Sequence, residues 1–421
     1  MSAPIDVLET QKKGSTFSRY EVFVIVLLAF LQFSVVLDFM VLAPLGYKLM
    51  PALNMSKDDF GNAVSGYAFG AFAAGILISG FADKFDRKKL LLVFYAGFII
   101  GTFLCARANS YEFLLFARIV TGLFGGVIAS ITNAIVTDIF QLHVRGRVMG
   151  MIQIAFAASN VLGIPFGLYL TQTIGWHIPF LMIVVVSIVV AVVVFVYLKP
   201  VDAHLKLKSD KNPLQHLKAT ITNPNYVVPF LATTLLATGG YMLMPYGSDF
   251  AVHNLGLSEE NLRYLYLITG VATIGVMPLA GILSDKIGKY KVFFVGSVAS
   301  MVILLIYCSL EQTPFWVVAL LNILLMSSIM SRIAPSQAMM SAIPEPKDRG
   351  AFMSINSSVM YLSGGISAFV AGKIVGGKQG GYVENYDILG YVVTGAIVVT
   401  LILMCFVNKQ VQKKIDQHKK V

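Results

Sequence analysis

The sequence predicts an all-α integral membrane protein, with twelve transmembrane helices in two pseudo-symmetric six-helix bundles. Three observations carry that prediction: an apolar composition, recurring apolar segments of membrane-spanning length, and one six-segment pattern written twice. Of the 421 residues, 57% are hydrophobic and 13% are charged, against about 25% charge in a soluble domain. A soluble fold needs polar residues to face water, and this chain has too few of them. A bilayer is the solvent that suits it.

Apolar segments of about 20 residues, enough to cross the hydrocarbon core as helices, lie near 20–45, 60–82, 89–106, 112–138, 148–172, 177–198, 225–250, 262–284, 291–310, 314–342, 351–374 and 387–407. The first has no small-residue cleavage site after a short apolar core, so it reads as an uncleaved helix. The connections alternate in charge. One set holds Lys12, Lys13 and Arg19; Lys84, Arg87, Lys88 and Lys89; Arg145 and Arg147; the lysines of 199–224; Lys286, Lys289 and Lys291; Lys347 and Arg349; and the lysines after 408. The other holds only Lys48, Lys57, Arg107, Arg263, Lys373 and Lys378. The positive-inside rule puts the rich set, and both termini, in the cytoplasm. The formal charge of +10 is therefore a topology signal. A nucleic-acid footprint would cluster on one soluble face.

The longest hydrophilic stretch divides six segments from six. The expected organisation is a cytoplasmic N-terminus (1–19), an N-terminal bundle (20–198), a cytoplasmic linker (199–224), a C-terminal bundle (225–407) and a basic cytoplasmic tail (408–421). The halves repeat each other. At an offset of 202, "SGFADKFDRKK" (79–89) meets "GILSDKIGKYK" (281–291), so Asp83, Lys84 and Arg87 match Asp285, Lys286 and Lys289. At an offset of 204, "RGRVMGMI" (145–152) meets "RGAFMSIN" (349–356).

Ionisable groups deep in a bilayer are costly and are functional candidates by default. Asp38 sits about two-thirds along the first segment and Arg118 about six residues into the fourth, so both fall in the outer half at similar depth. Burial disfavours a charged carboxylate while a guanidinium favours it. That opposition makes a switch in which protonating Asp38 frees Arg118; a permanent ion pair that fixes packing is the alternative. The second half has Gly239-Gly240 where Asp38 would be and Asn322 at offset 204 from Arg118, so the coupling charges are confined to the first half. Asp249 reads as a solvated or capping residue at a helix end. Arg332, near the middle of the tenth segment, cannot shed its charge. It meets either an anionic or polar group of a substrate, or water and helix-end carbonyls in the cytoplasmic cavity. Ser34, Asn133, Tyr241 and Asn356 either line the cavity or bind helix to helix.

On these residues the chain resembles the major facilitator superfamily over nearly its whole length. The repeated turn resembles the family's cytoplasmic signature between its second and third helices, with Ser79 and Asp86 in place of the usual glycines in the first copy. "VVLDFMVLAP" (35–44), "FARIVTGLFGG" (116–126) and "SNVLGIPFGLYL" (159–170) resemble patterns of the twelve-helix drug:proton antiporters, and the last is closer to the arabinose-efflux permeases. Its antiporter-like motif keeps Gly163, Pro165 and Gly167. The resemblance implies a substrate site near the midplane between the halves and proton coupling through Asp38 and Arg118. It further implies that Asp83 docks at the start of the eleventh helix and that Arg87 pairs with Asp138. Asp285, Lys286 and Lys289 form the second cytoplasmic latch.

Phosphate-cradling, zinc-protease and Cys-x-x-Cys motifs are missing, so the chain is not expected to be an enzyme or to use a cofactor or metal. Cys105, Cys308 and Cys405 are scattered among apolar segments. The leading expectation is a proton-coupled exporter of small organic molecules, drug-like compounds or metabolites, working by alternating access. Its partners are substrate, protons and the lipid bilayer, not nucleic acid, and it acts as a monomer in a cell membrane, the bacterial inner membrane. The alternatives are an importer or uniporter of an organic anion that uses Arg332 and Arg118, and a non-transporting sensor or scaffold.

Overall fold

The computed structural model describes residues 17–79, 85–202, 205, 219–345, 349–377 and 381–419. Asp83 and Lys84, together with most of the 199–224 linker, lie outside the described residues. The first half holds α1 (Arg19–Ala52), α2 (Lys57–Ser79), α3 (Arg87–Ala106) and α4 (Tyr111–Ile139). α5 (Leu142–Ala158) then passes through a π-turn (Ser159–Gly163) into α6 (Ile164–Thr173), and α7 (Ile178–Tyr197) follows. The second half repeats this course. α8 (Pro224–Leu243) passes through a 3₁₀ turn (Met244–Tyr246) into α9 (Gly247–His253), and α10 (Glu259–Thr273) is followed closely by α11 (Val276–Ile287). α12 (Lys289–Cys308), α13 (Phe315–Ser341), α14 (Arg349–Ile374) and α15 (Tyr386–Lys419) complete it. Among the described residues, ten stretches are long and apolar enough to cross a membrane.

Local chemistry sets many of the ends. Ser18 and Glu21 form a reciprocal capping box at the start of α1, which satisfies two of the backbone donors a helix start leaves open. Ser110 caps α4 and Ser258 caps α10 in the same way with one bond each. Asp86 caps α3 by accepting from the Lys88 amide at 2.8 Å, and it also accepts from the Val201 amide at 3.2 Å.

Three crossings differ from the uninterrupted segments that the apolar pattern suggested. Each break falls at a proline, whose ring nitrogen has no hydrogen to donate: Pro165 after the π-turn, Pro245 in the 3₁₀ turn, and Pro278 in the first turn of α11. Pro44 and Pro51 do not break α1, which runs to Ala52 rather than ending near 45. Neighbouring helices let a membrane helix tolerate proline. α15 likewise continues to Lys419 instead of stopping at 407. The apolar pattern ends there, but Lys and Gln are good helix formers, so the helix outlasts it.

Large apolar residues such as Val185, Phe195, Leu279 and Trp316 are exposed on the helix surfaces, as suits contact with lipid. Within the first half α2 and α4 approach closely: a Cβ on Gly122 would lie 2.1 Å from the Tyr67 carbonyl oxygen. Between the halves, α2 lies along α14, α6 against α10, and α1 against α9. Polar contacts across this seam gather at the end where α1 gives way to α2. There Ser248 Oγ donates to the Ala43 carbonyl at 2.8 Å, Gln172 Nε2 to the Glu259 carbonyl at 2.7 Å, and Lys373 Nζ to Asp58 Oδ2 at 2.6 Å.

Candidate functional site

Asp38 and Arg118, separated by 80 positions, meet inside the first half. Arg118 Nη1 donates to Asp38 Oδ2 at 2.9 Å, and both residues are 0% exposed. The second carboxylate oxygen accepts from Thr102 Oγ1 of α3 at 3.0 Å. The guanidinium lies 4.7 Å from the ring centre of Tyr67 on α2, within the range of a cation–π contact. Four helices thus contribute to one buried charge pair. Removing water from two charges is costly, and only good geometry with the remaining polar atoms satisfied offsets that cost. Thr102 satisfies the second carboxylate oxygen and Tyr67 covers the guanidinium face, while the buried Arg118 Nε has no hydrogen-bond partner among the described residues. Neither Thr102 nor Tyr67 carried a signal in the sequence.

The surroundings extend the pair in two directions. Leu37, next to Asp38, packs on the π-turn: a Cβ on Gly163 would lie 2.5 Å from Leu37 Cδ1. Ser159 Oγ donates to the Phe33 carbonyl at 3.1 Å, and Gly167 faces Val41. Gly163 and Gly167 of the motif are therefore where this crossing rests against α1, and Pro165 marks the break between them. On the other side of Asp38, Phe39 stands 5.2 Å from Tyr67 and 5.6 Å from Tyr241 of α8, ring centre to ring centre. The Tyr241 ring also covers Gly364 of α14. An aromatic chain therefore runs from the Arg118 guanidinium to the second half.

Other candidates lie elsewhere. Arg332 is buried, with its guanidinium 5.4 Å from the Phe293 ring centre on α12, and no described carboxylate lies within ion-pair distance of it. Ser34 is buried and bonds the Leu31 carbonyl at 2.9 Å and the Tyr95 hydroxyl at 2.8 Å, which joins α1 to α3. Asn356 accepts from Thr233 at 2.6 Å, joining α14 to α8, while Asn133 is exposed on α4. At the foot of the first half Arg87 Nε lies 3.3 Å from Asp138 Oδ2. Asp285 and Lys286 stand exposed at the end of α11, and Lys289 is half-buried at the start of α12. Among the described residues no cluster of His, Cys, Asp and Glu could hold a metal ion.

One expectation is overturned. Asp249 is not a solvated cap but is fully buried, 3.2 Å from Lys57 Nζ and 2.8 Å from His253 Nδ1. The sequence placed it near a helix end, where water is the usual partner; in the fold that end is covered by the other half.

The profile of the Major Facilitator Superfamily matches residues 28–368 and 229–420. The chain belongs to the Major Facilitator Superfamily. It is 25% identical over 356 residues to the uncharacterized MFS-type transporter YtbD of Bacillus subtilis (strain 168), covering 83% of this chain and 87% of that one. It is 22% identical over 293 residues to the probable sugar efflux transporter of Mannheimia succiniciproducens, covering 69% and 71%. Among solved structures, the D-xylose-proton symporter superposes with a TM-score of 0.74 at 16% identity, covering 90% of this chain and 97% of that one. Such a likeness concerns the fold: two six-helix bundles of a membrane transporter.

Proposed function

We propose that this transporter exports small organic molecules by alternating access in exchange for protons, with Asp38 as the proton carrier and Arg118 as its partner. The observation that carries the reading is the buried Asp38–Arg118–Thr102 cluster. Protonating Asp38 removes the only described carboxylate paired with Arg118 and leaves a buried cation that must find another partner. Breaking such a pair one-sidedly costs about 3–5 kcal/mol, enough to drive a helix rearrangement. The aromatic chain through Tyr67, Phe39 and Tyr241 carries that rearrangement to the second half, and a substrate between the halves would meet it there. The efflux activity named for the Mannheimia relative supports the outward direction. The charge pattern of the loops supports cytoplasmic termini, and a bacterial inner membrane and a monomer suit both.

The same reading divides the chain into bundles at 20–198 and 225–407, and makes Arg87, Asp138, Asp285, Lys286 and Lys289 cytoplasmic gating residues together with Asp83 and Lys84. Growth of a deletion strain across toxic compounds and metabolites identifies a substrate. That compound is then added to proteoliposomes with an internal pH dye. Substrate-driven proton movement against the substrate's direction is the expected result, and an unchanged internal pH during transport sinks the antiport reading.

A second reading, uptake of an organic anion, has one observation in its favour: Arg332 is a buried cation with no described acidic partner. Uptake that survives collapse of the proton gradient but is lost in Arg332→Ala would select it.

A further inference from the structure

Away from Asp38, one cluster of buried charge belongs to neither reading. Lys57 opens α2 in the first half, and Asp249 and His253 lie one turn apart on α9 in the second. Lys57 Nζ is 3.2 Å from Asp249 Oδ2, with side chains only 3% and 1% exposed. The same ammonium donates to the carbonyls of Tyr382 at 3.2 Å and Gly381 at 3.4 Å. The Tyr246 hydroxyl donates to the Lys57 carbonyl at 2.8 Å, so backbone and side chain are both held across the seam. The other carboxylate oxygen of Asp249 is 2.8 Å from His253 Nδ1. The His253 side chain is 20% exposed, which gives this otherwise sealed group a route to solvent.

The remaining charges nearby are mostly matched. Asp58 is paired with Lys373 and Glu259 with Lys48. Glu384 is the other acid close enough to act on Lys57, and Tyr246 is the neighbouring hydroxyl.

We propose that His253 and Asp249 form a second proton-binding site, which loosens the seam between the two halves when it takes up a proton. The proposal rests on the alternating movement of the halves and on the topology that puts this end outside; it does not rest on coupling at Asp38. A carboxylate only accepts hydrogen bonds, so the hydrogen between the two groups sits on His253 Nδ1 and the second ring nitrogen receives the incoming proton. With His253 neutral, the single charge of Asp249 is matched by Lys57 across the seam. With His253 charged, two cations share that carboxylate where water is scarce. The imidazolium is on the same helix as Asp249 and moves with it. Lys57 is on the other half, so the surplus charge is relieved when the halves part and water reaches the ammonium. Histidine changes charge between about pH 5 and 8, the range in which an acidic exterior differs from the cytoplasm. The site then opens the outer end when protons are plentiful on that side of the membrane.

The test uses the full-length protein in lipid nanodiscs without substrate. Spin labels at Asn54→Cys and Glu311→Cys, exposed positions on the two halves at this end, report their separation by pulsed EPR. Cys405 is replaced by serine, since Cys105 and Cys308 are buried. The long-distance population should grow several-fold between about pH 7.5 and pH 5.5, the range in which histidine gains its charge. His253→Gln should stay short at both values and Lys57→Met long at both. If Lys57→Met does not fold, His253→Gln alone decides. A pH response that survives His253→Gln overturns the proposal. So does a response that disappears in Asp38→Asn while His253→Gln keeps it, because it then belongs to the first site.

Discussion

In the first half, Arg118 of α4 lies over the ring of Tyr67 on α2. In the second half the repeat mates of these residues, Asn322 and Thr269 at offsets of 204 and 202, also meet: Thr269 Oγ1 donates to Asn322 Oδ1 at 3.0 Å. Asn322 Nδ2 then donates to the Tyr307 hydroxyl at 3.2 Å. Corresponding helices therefore touch at corresponding positions, once through a charge and once through a neutral amide. Gly239 and Gly240 stand where a second Asp38 would be. An amide network has no charge to gain or lose near neutral pH, whereas a carboxylate facing a guanidinium does. The duplication fixes a common scaffold, and the buried Asp38–Arg118 ion pair is built into one copy of it.

Four variants, one of them a double, test that asymmetry, beginning with the most disruptive. Arg118→Ala strands the Asp38 charge and should cost about 3–5 kcal/mol, read as a lower unfolding temperature in detergent with transport abolished. Adding Asp38→Asn to it should restore much of the stability but not the proton response. A single Arg118→Ala variant as stable as the parent would mean that the pair carries no such strain. Thr102→Val removes one donor to the charged carboxylate. A hydrogen bond to a charged group contributes about 1.5–3 kcal/mol, and the lost bond favours the protonated form. The pH of half-maximal transport should therefore rise by about one to two units, measured as a pH profile of substrate transport. Asn322→Ala, the mate of Arg118, breaks only neutral hydrogen bonds. It should lower stability by about 1 kcal/mol and leave that pH profile where it was; a shifted profile would give the second half a share in coupling.

The large features of the molecule were legible because they are written in composition and period. Apolar segments of membrane length, the repeat, and the depth of Asp38 and Arg118 on helices of opposite direction were enough to bring those two together. What escaped was local or came from the other half. Thr102 is one hydroxyl in an apolar run, and threonine is common there as helix glue. Tyr67 looks like any core aromatic until its face is found under a guanidinium. Asp249 reads as solvated because the sequence cannot say which helix end is capped by another bundle. The repeated turn shows the same limit on a smaller scale. Gly288 takes a φ of 106°, which favours glycine, while its mate Asp86 makes the turn with a φ of −55° and caps α3 with its side chain. An apparent loss of the motif is thus a different solution to the same turn.

Whether protons act through Asp38 is decided by Asp38→Asn in proteoliposomes, with the compound found in the growth panel and an internal pH dye. The expected result is that substrate exchange across the membrane continues and that substrate no longer moves protons. Proton movement at the parent ratio of protons to substrate in Asp38→Asn would contradict it.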